Sequence, residues 1–154
     1  MKAMRAKIFH SSDERGAALL EFAIGATLFL SAMFGVIEVG RLLWVHNSLV
    51  DATRRAARYA VNRGMSTQAL TEARNMAVYG NAGGTGQPLV QDLSTAQVKV
   101  THQNFELGGG TVTVEIENYD FNFVLPLVGR KLRLPVYKTA LTGENAGYVP
   151  GVLP

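Results

Sequence analysis

The first third of the chain is dominated by apolar residues. Residues 17–37 form an apolar run of 21 residues in which Glu21 is the one ionisable side chain. Apolar residues would cover every side of a helix over this run, so such a helix has to be buried in lipid or in a packed bundle. At about 1.5 Å per residue the run reaches about 31 Å, the thickness of a bilayer's hydrocarbon core. The pattern therefore predicts a transmembrane helix over residues 17–37.

The helical pattern continues beyond the span but is apolar on one side only. Apolar residues recur at spacings of three and four, which is the signature of an amphipathic helix. We expect this extension to cover residues 38–64, with Gly40 as the place for a bend and Gly64 just past the helix end. The apolar positions are Leu42, Val45, Leu49, Ala52, Ala56 and Ala60.

Two features of the extension are candidates for contact with a membrane or a partner. Trp44 lies seven residues beyond the span, where an aromatic ring anchors a helix near the membrane interface. Arg54, Arg55 and Arg58 form a basic face. That face contacts anionic lipid headgroups or an acidic partner surface, or it is an ordinary solvated helix face.

The rest of the chain changes from a helical period to a period of two. Ser66 is expected to cap a second helix that runs to about Tyr79, and the glycine-rich stretch 80–88 is typical of a loop. Alternating residues then predict three or four antiparallel strands, with the second helix on their apolar face. The fold class is α+β, a long transmembrane and amphipathic helix followed by a small domain. The expected strands are 98–101, 111–117, 121–125 and 132–141, with glycines 108–110 as a turn.

The polar residues show no catalytic or metal-binding pattern. The chain has no cysteine, and its histidines, His10, His46 and His102, lack metal-ligand spacing. Glu115 and Glu117 share one strand face, as solvent-facing residues do. We therefore expect no enzymatic activity, no cofactor and no metal. A net charge of +3 and three arginines without interleaved aromatic residues also exclude nucleic acid as a partner.

Glu21 is the anomaly within the apolar run. A carboxylate at the centre of a membrane helix costs about 2.5–3.5 kcal/mol and normally has a partner. If the chain were cut after Gly16, Ala17 would carry a free α-amine, one helical turn from Glu21. The carboxylate would neutralise this amine, or the amine of a neighbouring subunit when such helices stack side by side.

The sequence around this position resembles a known family. Gly16 followed by AALLEF looks like the processing site of type IV prepilin-like proteins, with Glu21 and Phe22 at the fifth and sixth positions after the cut. The stretch GVIEVGRLLWVHNSLVDATRRAARYAV, residues 35–61, resembles the TadE-like minor pseudopilins of the tight adherence (Tad) pilus. Major pilins of this system are far shorter and often have Tyr where Phe22 stands, so the resemblance favours the minor class.

The resemblance implies a structural minor pilin of a Tad/Flp-type IVb pilus, active in assembly, adhesion or secretion. Residues 1–16 would be a leader removed by a prepilin peptidase that cuts between Gly16 and Ala17. Glu21 and Phe22 would guide packing with other pilins and pseudopilins and with the Tad inner-membrane platform. Residues 65–154 would form the extracytoplasmic domain of a bacterial inner-membrane protein.

Charge gives a weak indication of orientation. The leader carries four basic residues, and the segment beyond the span carries three. The basic residues on the short leader should weigh more because they lie close to the span, so we expect the N-terminus in the cytoplasm. The alternative is an uncleaved, signal-anchored periplasmic binding or scaffold protein of a secretion system, which has the same layout. The two differ in their N-terminal residue, Ala17 for the pseudopilin and Met1 for the anchor.

Overall fold

The computed structural model describes residues 12–63, 66–103, 110–124 and 131–143. Helix α1 covers Ser12–Val61 and includes Gly40, where a bend stays a prediction. It ends three residues before the predicted boundary, and the amides of Asn62 and Arg63 make turn hydrogen bonds to the carbonyls of Tyr59 and Ala60. The predicted C-terminal Gly64 lies outside the described residues.

The chain divides into two units, Met1–Val39 and Gly40–Pro154. In the first unit, the apolar side chains of α1 are exposed. One helix of the described part is long and apolar enough to cross a membrane, and this segment provides it. A core helix of a soluble domain would have the same length and composition, but its apolar side chains would be buried. The exposed apolar residues include Leu19, Leu20, Phe22, Ile24, Leu28, Phe29, Phe34 and Val36.

The second helix agrees with its predicted bounds. Helix α2 covers Thr67–Tyr79, and the hydroxyl of Ser66 accepts a hydrogen bond from the amide of Ala69 at 3.1 Å. This is the N-cap interaction that the sequence predicted. At the other end Gly80 adopts φ 75°, the left-handed conformation that ends many helices.

In the described ranges five strands form two antiparallel sheets, so the α+β class is confirmed. The larger sheet has the order β1-β2-β5, and β3 pairs with β4 in a separate sheet. The register aligns Val100 with Val114 and Val114 with Thr139. The strand bounds are β1 Val98–Gln103, β2 Thr111–Ile116, β3 Asp120–Asn122, β4 Lys131–Arg133 and β5 Tyr137–Thr142.

The strands differ from expectation near Pro135. The sequence predicted one strand over residues 132–141, whereas the structure has β4 and β5 with Pro135 between them. Proline has no N–H for a strand ladder and fixes φ, which ends β4 and lets the chain enter the other sheet. Gly108 and Gly109 of the predicted turn, and Leu125 at the end of the third predicted strand, lie outside the described residues.

The core of the second unit joins both helices to the larger sheet. The inward residues of β2, Val112, Val114 and Ile116, are fully buried. Helix α1 also bonds to β5, because the hydroxyl of Thr53 lies 2.8 Å from that of Thr139 and His46 Nδ1 lies 2.9 Å from the hydroxyl of Tyr137. The helical core residues include Leu49, Ala52, Ala56, Ala57, Ala73 and Ala77.

Candidate functional site

The predicted processing residues lie on the surface of α1. Gly16 and Ala17 are both exposed within the helix. A Cβ atom added at Gly16 would have no neighbouring heavy atom within 4 Å. A larger side chain at this position therefore meets no steric obstacle within the described chain, which makes Gly16 suitable for testing processing separately from folding.

The predicted assembly residues lie one turn further along α1. Phe22 is 74% exposed and lines a shallow apolar groove with Gly25, Ala26, Phe29 and Leu30. The space beside Gly25 is open, so the backbone of another helix has room to approach there. An apolar groove with a small-residue floor is suited to packing against a second apolar helix.

The polar groups in the span differ in how they are satisfied. The hydroxyls of Thr27 and Ser31 donate to the carbonyls of Ala23 and Thr27, each at 2.7 Å. Glu21 is exposed and forms no hydrogen bond or ion pair with any described residue. Within the described span, Glu21 is therefore the polar side chain that still needs a partner.

Trp44 lies in the second unit, beside an aromatic cleft. Its side chain is 58% exposed, and it lines a cleft of about 180 Å³ together with Phe121, Phe123 and Val124. The guanidinium of Arg41 stacks 4.5 Å from the centroid of the Phe121 ring and donates to the Asn122 carbonyl. The rings of Phe121 and Phe123 meet edge to face at 5.1 Å.

The sequence did not reveal this cleft around Trp44. It identified Phe121 and Phe123 only as alternating strand residues. Their position beside Trp44 depends on tertiary packing, for which no local spacing gives a signal. The cleft combines aromatic rings with the Arg41 cation, a combination that suits the polar and apolar boundary of a membrane.

The three predicted arginines line a second cleft of about 590 Å³. Arg54 and Arg58 are exposed. Arg55 is half-buried, and its Nε and Nη2 donate to the carbonyls of Met76 and Ala77 at 2.9 and 3.2 Å. These carbonyls belong to the last turn of α2, where helical acceptors are unpaired and cations are favoured. Arg55 therefore holds α2 against α1, while its contact with lipid or a partner stays a prediction.

A polar pair borders the arginine cleft. The hydroxyl of Tyr59 donates to Glu72 at 2.6 Å, and Gln68 donates to the other oxygen of Glu72 at 2.8 Å. The hydrogen bond to Glu72 raises the pKa of Tyr59. The same bond lowers the pKa of Glu72, with further help from Gln68. The two oxygens of Glu72 therefore each accept a hydrogen bond from a neighbouring side chain, and both bonds favour the ionised form.

Two other titratable groups of the second unit, Glu115 and His102, also have structural partners. Glu115 forms an ion pair with Lys138 at 2.9 Å, and this interaction lowers the pKa of Glu115. Burial lowers the pKa of His102, against the opposing effect of a hydrogen bond to the Ala60 carbonyl. Among the described residues, no group of three or more metal-ligating side chains comes together.

The comparisons with known proteins agree with the N-terminal resemblance. Searches among curated proteins and among solved structures found no match. The segment of this chain that matches a family model contains the apolar run 17–37 with Glu21, Trp44 and the three arginines. Residues 16–58 of this chain match the model of the TadE-like protein family, which confirms the resemblance over that segment.

Proposed function

We propose that the protein is a structural minor pilin (pseudopilin) of a Tad/Flp-type IVb pilus, processed after Gly16 by a prepilin peptidase. The TadE-like match relates the chain to Tad pili, whose TadE-like proteins are structural rather than enzymatic. The observation that carries the proposal is the exposed apolar helix with Glu21 unpaired among the described residues, inside the matched segment. Such a helix has to be covered by lipid or by other helices.

Glu21 acts as an alignment device in this proposal. Once residues 1–16 are removed, Ala17 presents an α-amine, a group that titrates at about 7.7–8.0 and is therefore largely protonated at neutral pH. A carboxylate that pairs with such an amine on an adjacent subunit avoids the cost of an isolated charge in lipid. Subunits that slide out of register lose this pair, so the pair favours one stagger between helices.

The groove around Phe22 supplies the apolar part of the same contact. Phe22, Phe29 and Leu30 flank the small residues Gly25 and Ala26. Association in lipid depends on close packing because the hydrophobic effect gives no net drive there. The groove therefore determines which face of the helix contacts a neighbouring pilin, and Glu21 determines the axial stagger between the two helices.

The proposal also gives the chain an orientation across the membrane. The N-terminus lies in the cytoplasm, residues 17–37 cross the inner membrane, and the α+β domain is displayed in the periplasm or outside the cell. Trp44 contacts the lipid interface. Arg54 and Arg58 contact anionic lipid or an acidic surface of the Tad inner-membrane platform or another pilin.

The first test is the N-terminus of the protein isolated from its native membrane. Intact mass and N-terminal sequencing are expected to give a chain that starts at Ala17. The variant Gly16→Leu is expected to keep the leader, because the peptidase site is blocked while the described chain has room for the side chain. A wild-type protein that starts at Met1 contradicts the proposal and favours the uncleaved periplasmic anchor.

The second test separates insertion from assembly. Glu21→Gln is expected to insert into the membrane at least as well as the wild type, because it removes a charge from the span. It is expected to enter the pilus complex less, as measured by co-purification with other pilins. Glu21→Asp keeps the charge and should retain more assembly than the glutamine variant. Wild-type assembly by Glu21→Gln would remove the proposed role.

A further inference from the structure

A third cleft in the second unit is not used by the proposed function. It has a volume of about 430 Å³ and lies where α2, the short 3-10 helix Thr95–Gln97, β1 and the end of β2 meet. Arg74 projects from α2 and Lys99 from β1, while Glu117 and Asn118 follow β2. This volume is within the range of about 300–1,000 Å³ that is typical of small-ligand sites.

Arg74 carries an unsatisfied group in this cleft. Its Nε atom is buried and has no hydrogen-bond partner in the part of the chain that the structure describes. A guanidinium N–H withdrawn from water without an acceptor costs free energy, and buried polar atoms in proteins are nearly always paired. Arg74 also makes no other hydrogen bond and no ion pair with a described residue. The part of its guanidinium that lines the cleft is therefore open to an acceptor on a ligand.

Glu117 brings the opposite charge to the same cleft. Its carboxylate forms no ion pair with Arg74 or Lys99 and no side-chain hydrogen bond with a described residue. The neighbouring Glu115 differs, because it is paired with Lys138. The cleft therefore holds two cations, Arg74 and Lys99, and a carboxylate that forms no ion pair with either.

The walls of the cleft are fixed by hydrogen bonds. The Gln97 Oε1 atom accepts from the amide of Ser94 at 2.8 Å, and its Nε2 donates to the carbonyl of Asn118 at 2.9 Å. The amide of Glu117 donates to the carbonyl of Gln97 at 3.0 Å. These bonds lock the 3-10 helix to the segment after β2, so a ligand meets a preformed site and little ordering is required on binding.

We propose that this cleft binds the end groups of a short zwitterionic peptide, with the ligand's carboxylate on Arg74 and its ammonium group on Glu117. A simple anion would be attracted to Arg74 and Lys99 but would leave Glu117 unpaired, and a simple cation would pair Glu117 but would be repelled by Arg74 and Lys99. A ligand with both charges pairs both residues, and each contact is a charge-assisted hydrogen bond. This site is separate from the helix surface that carries the proposed pilus assembly.

Trialanine is the probe, used with full-length protein in nanodiscs of zwitterionic lipid. Two matched peptides each lack one charge, N-acetyl-trialanine and trialanine amide. Titration calorimetry is expected to show that trialanine binds at least about tenfold more tightly than either, the change that loss of one charge-assisted bond gives. Equal binding of the three peptides, or no binding of trialanine, would overturn the proposal.

Variants of the protein assign each charge. Arg74→Gln is expected to bind trialanine at least about tenfold more weakly, and Glu117→Gln to lose the preference for the free amine over the acetylated peptide. Lys131→Gln, which removes an exposed cation of β4 outside this cleft, is expected to bind as the wild type does. Unchanged binding by Arg74→Gln would contradict the assignment.

The melting temperature of Arg74→Gln distinguishes a ligand site from a structural arginine. The variant removes a buried, unpaired N–H, so its ligand-free melting temperature is expected to equal or exceed that of the wild type. A lower melting temperature would give Arg74 a structural role and overturn the proposal. Because the leader and Glu21 take no part in these measurements, their result does not depend on whether the chain is a pilin.

Discussion

Helix α1 belongs to both units of the chain, and its leucines behave differently in each. Leu28, in the first unit, is 67% exposed, whereas Leu49, in the second unit, is 0% exposed. In the second unit, apolar residues recur at spacings of three and four and pack on the sheet. In the first unit they surround the helix, and no described element of that unit covers them. Covering them therefore requires lipid or other subunits.

Polar groups show the same contrast. Around Arg55, Glu72 and Glu115, the second unit pairs its charges with its own carbonyls and side chains. In the first unit the hydroxyls bond to their own helix, whereas Glu21 has no partner among the described residues. At these three positions the second unit pairs its charges internally, whereas the Glu21 carboxylate of the first unit has no partner in the described chain.

The largest expected effect comes from one substitution made in both units. Leu49→Ala removes a fully buried side chain and is expected to lower the free energy of unfolding of the second unit by about 2–5 kcal/mol. Leu28→Ala is expected to change it by less than about 0.5 kcal/mol, because this side chain packs on nothing in the described chain. Chemical denaturation in detergent measures both. Equal losses would abolish the distinction between the units.

A smaller effect is expected from the arginine that joins α2 to α1. Arg55→Gln removes two charge-assisted hydrogen bonds to the carbonyls of Met76 and Ala77, and is expected to cost about 1–3 kcal/mol. Arg54→Gln is the matched control, since Arg54 is exposed, and is expected to cost less than about 0.5 kcal/mol. Denaturation curves of the two variants measure both changes in the free energy of unfolding. A larger loss for Arg54 would mean that the basic face stabilises the fold as a whole.

Two serines give the next contrast. Ser66→Ala removes the N-cap of α2 and is expected to destabilise the second unit by about 1 kcal/mol. Ser31→Ala removes a hydroxyl that bonds to the carbonyl one turn earlier, a bond that adds little to a helix already formed, so a change below about 0.5 kcal/mol is expected. Thermal unfolding with helix content as the readout is the measurement. A cost at Ser31 as large as at Ser66 would contradict this account.

Local patterns predicted the elements well because each had a local physical cause. The apolar run over 17–37 and the three-four spacing beyond it predicted α1, and the capping serine Ser66 predicted the start of α2. The alternation in β2 predicted which residues are buried. The alternation over 132–141 predicted one strand, whereas Pro135 lies between β4 and β5 in the structure.

Contacts between distant segments were not predictable from spacing. Arg55 was identified as one of a basic face, but its bonds to α2 depend on how the two helices pack. Arg74 drew no attention in the sequence, because a single arginine in an amphipathic helix has no distinguishing neighbours. Its unpaired Nε and the nearby Glu117 become visible only when α2 and the end of β2 are brought together.

The smallest expected effect concerns the ion pair on the sheet. Because Lys138 lowers the pKa of Glu115 from its ordinary 4.5, the unfolded chain takes up this proton at higher pH than the folded one. The pair's contribution is therefore complete above about pH 4.5 and is lost as pH falls through the lower pKa of the folded state. Glu115→Gln is expected to lower the melting temperature slightly at pH 7 and to make its decline below pH 4.5 shallower. Glu117→Gln removes a carboxylate that has no such ion pair and is expected to leave the decline in melting temperature unchanged. An equal response of both variants would show that overall charge, rather than this pair, sets the acid sensitivity of the second unit.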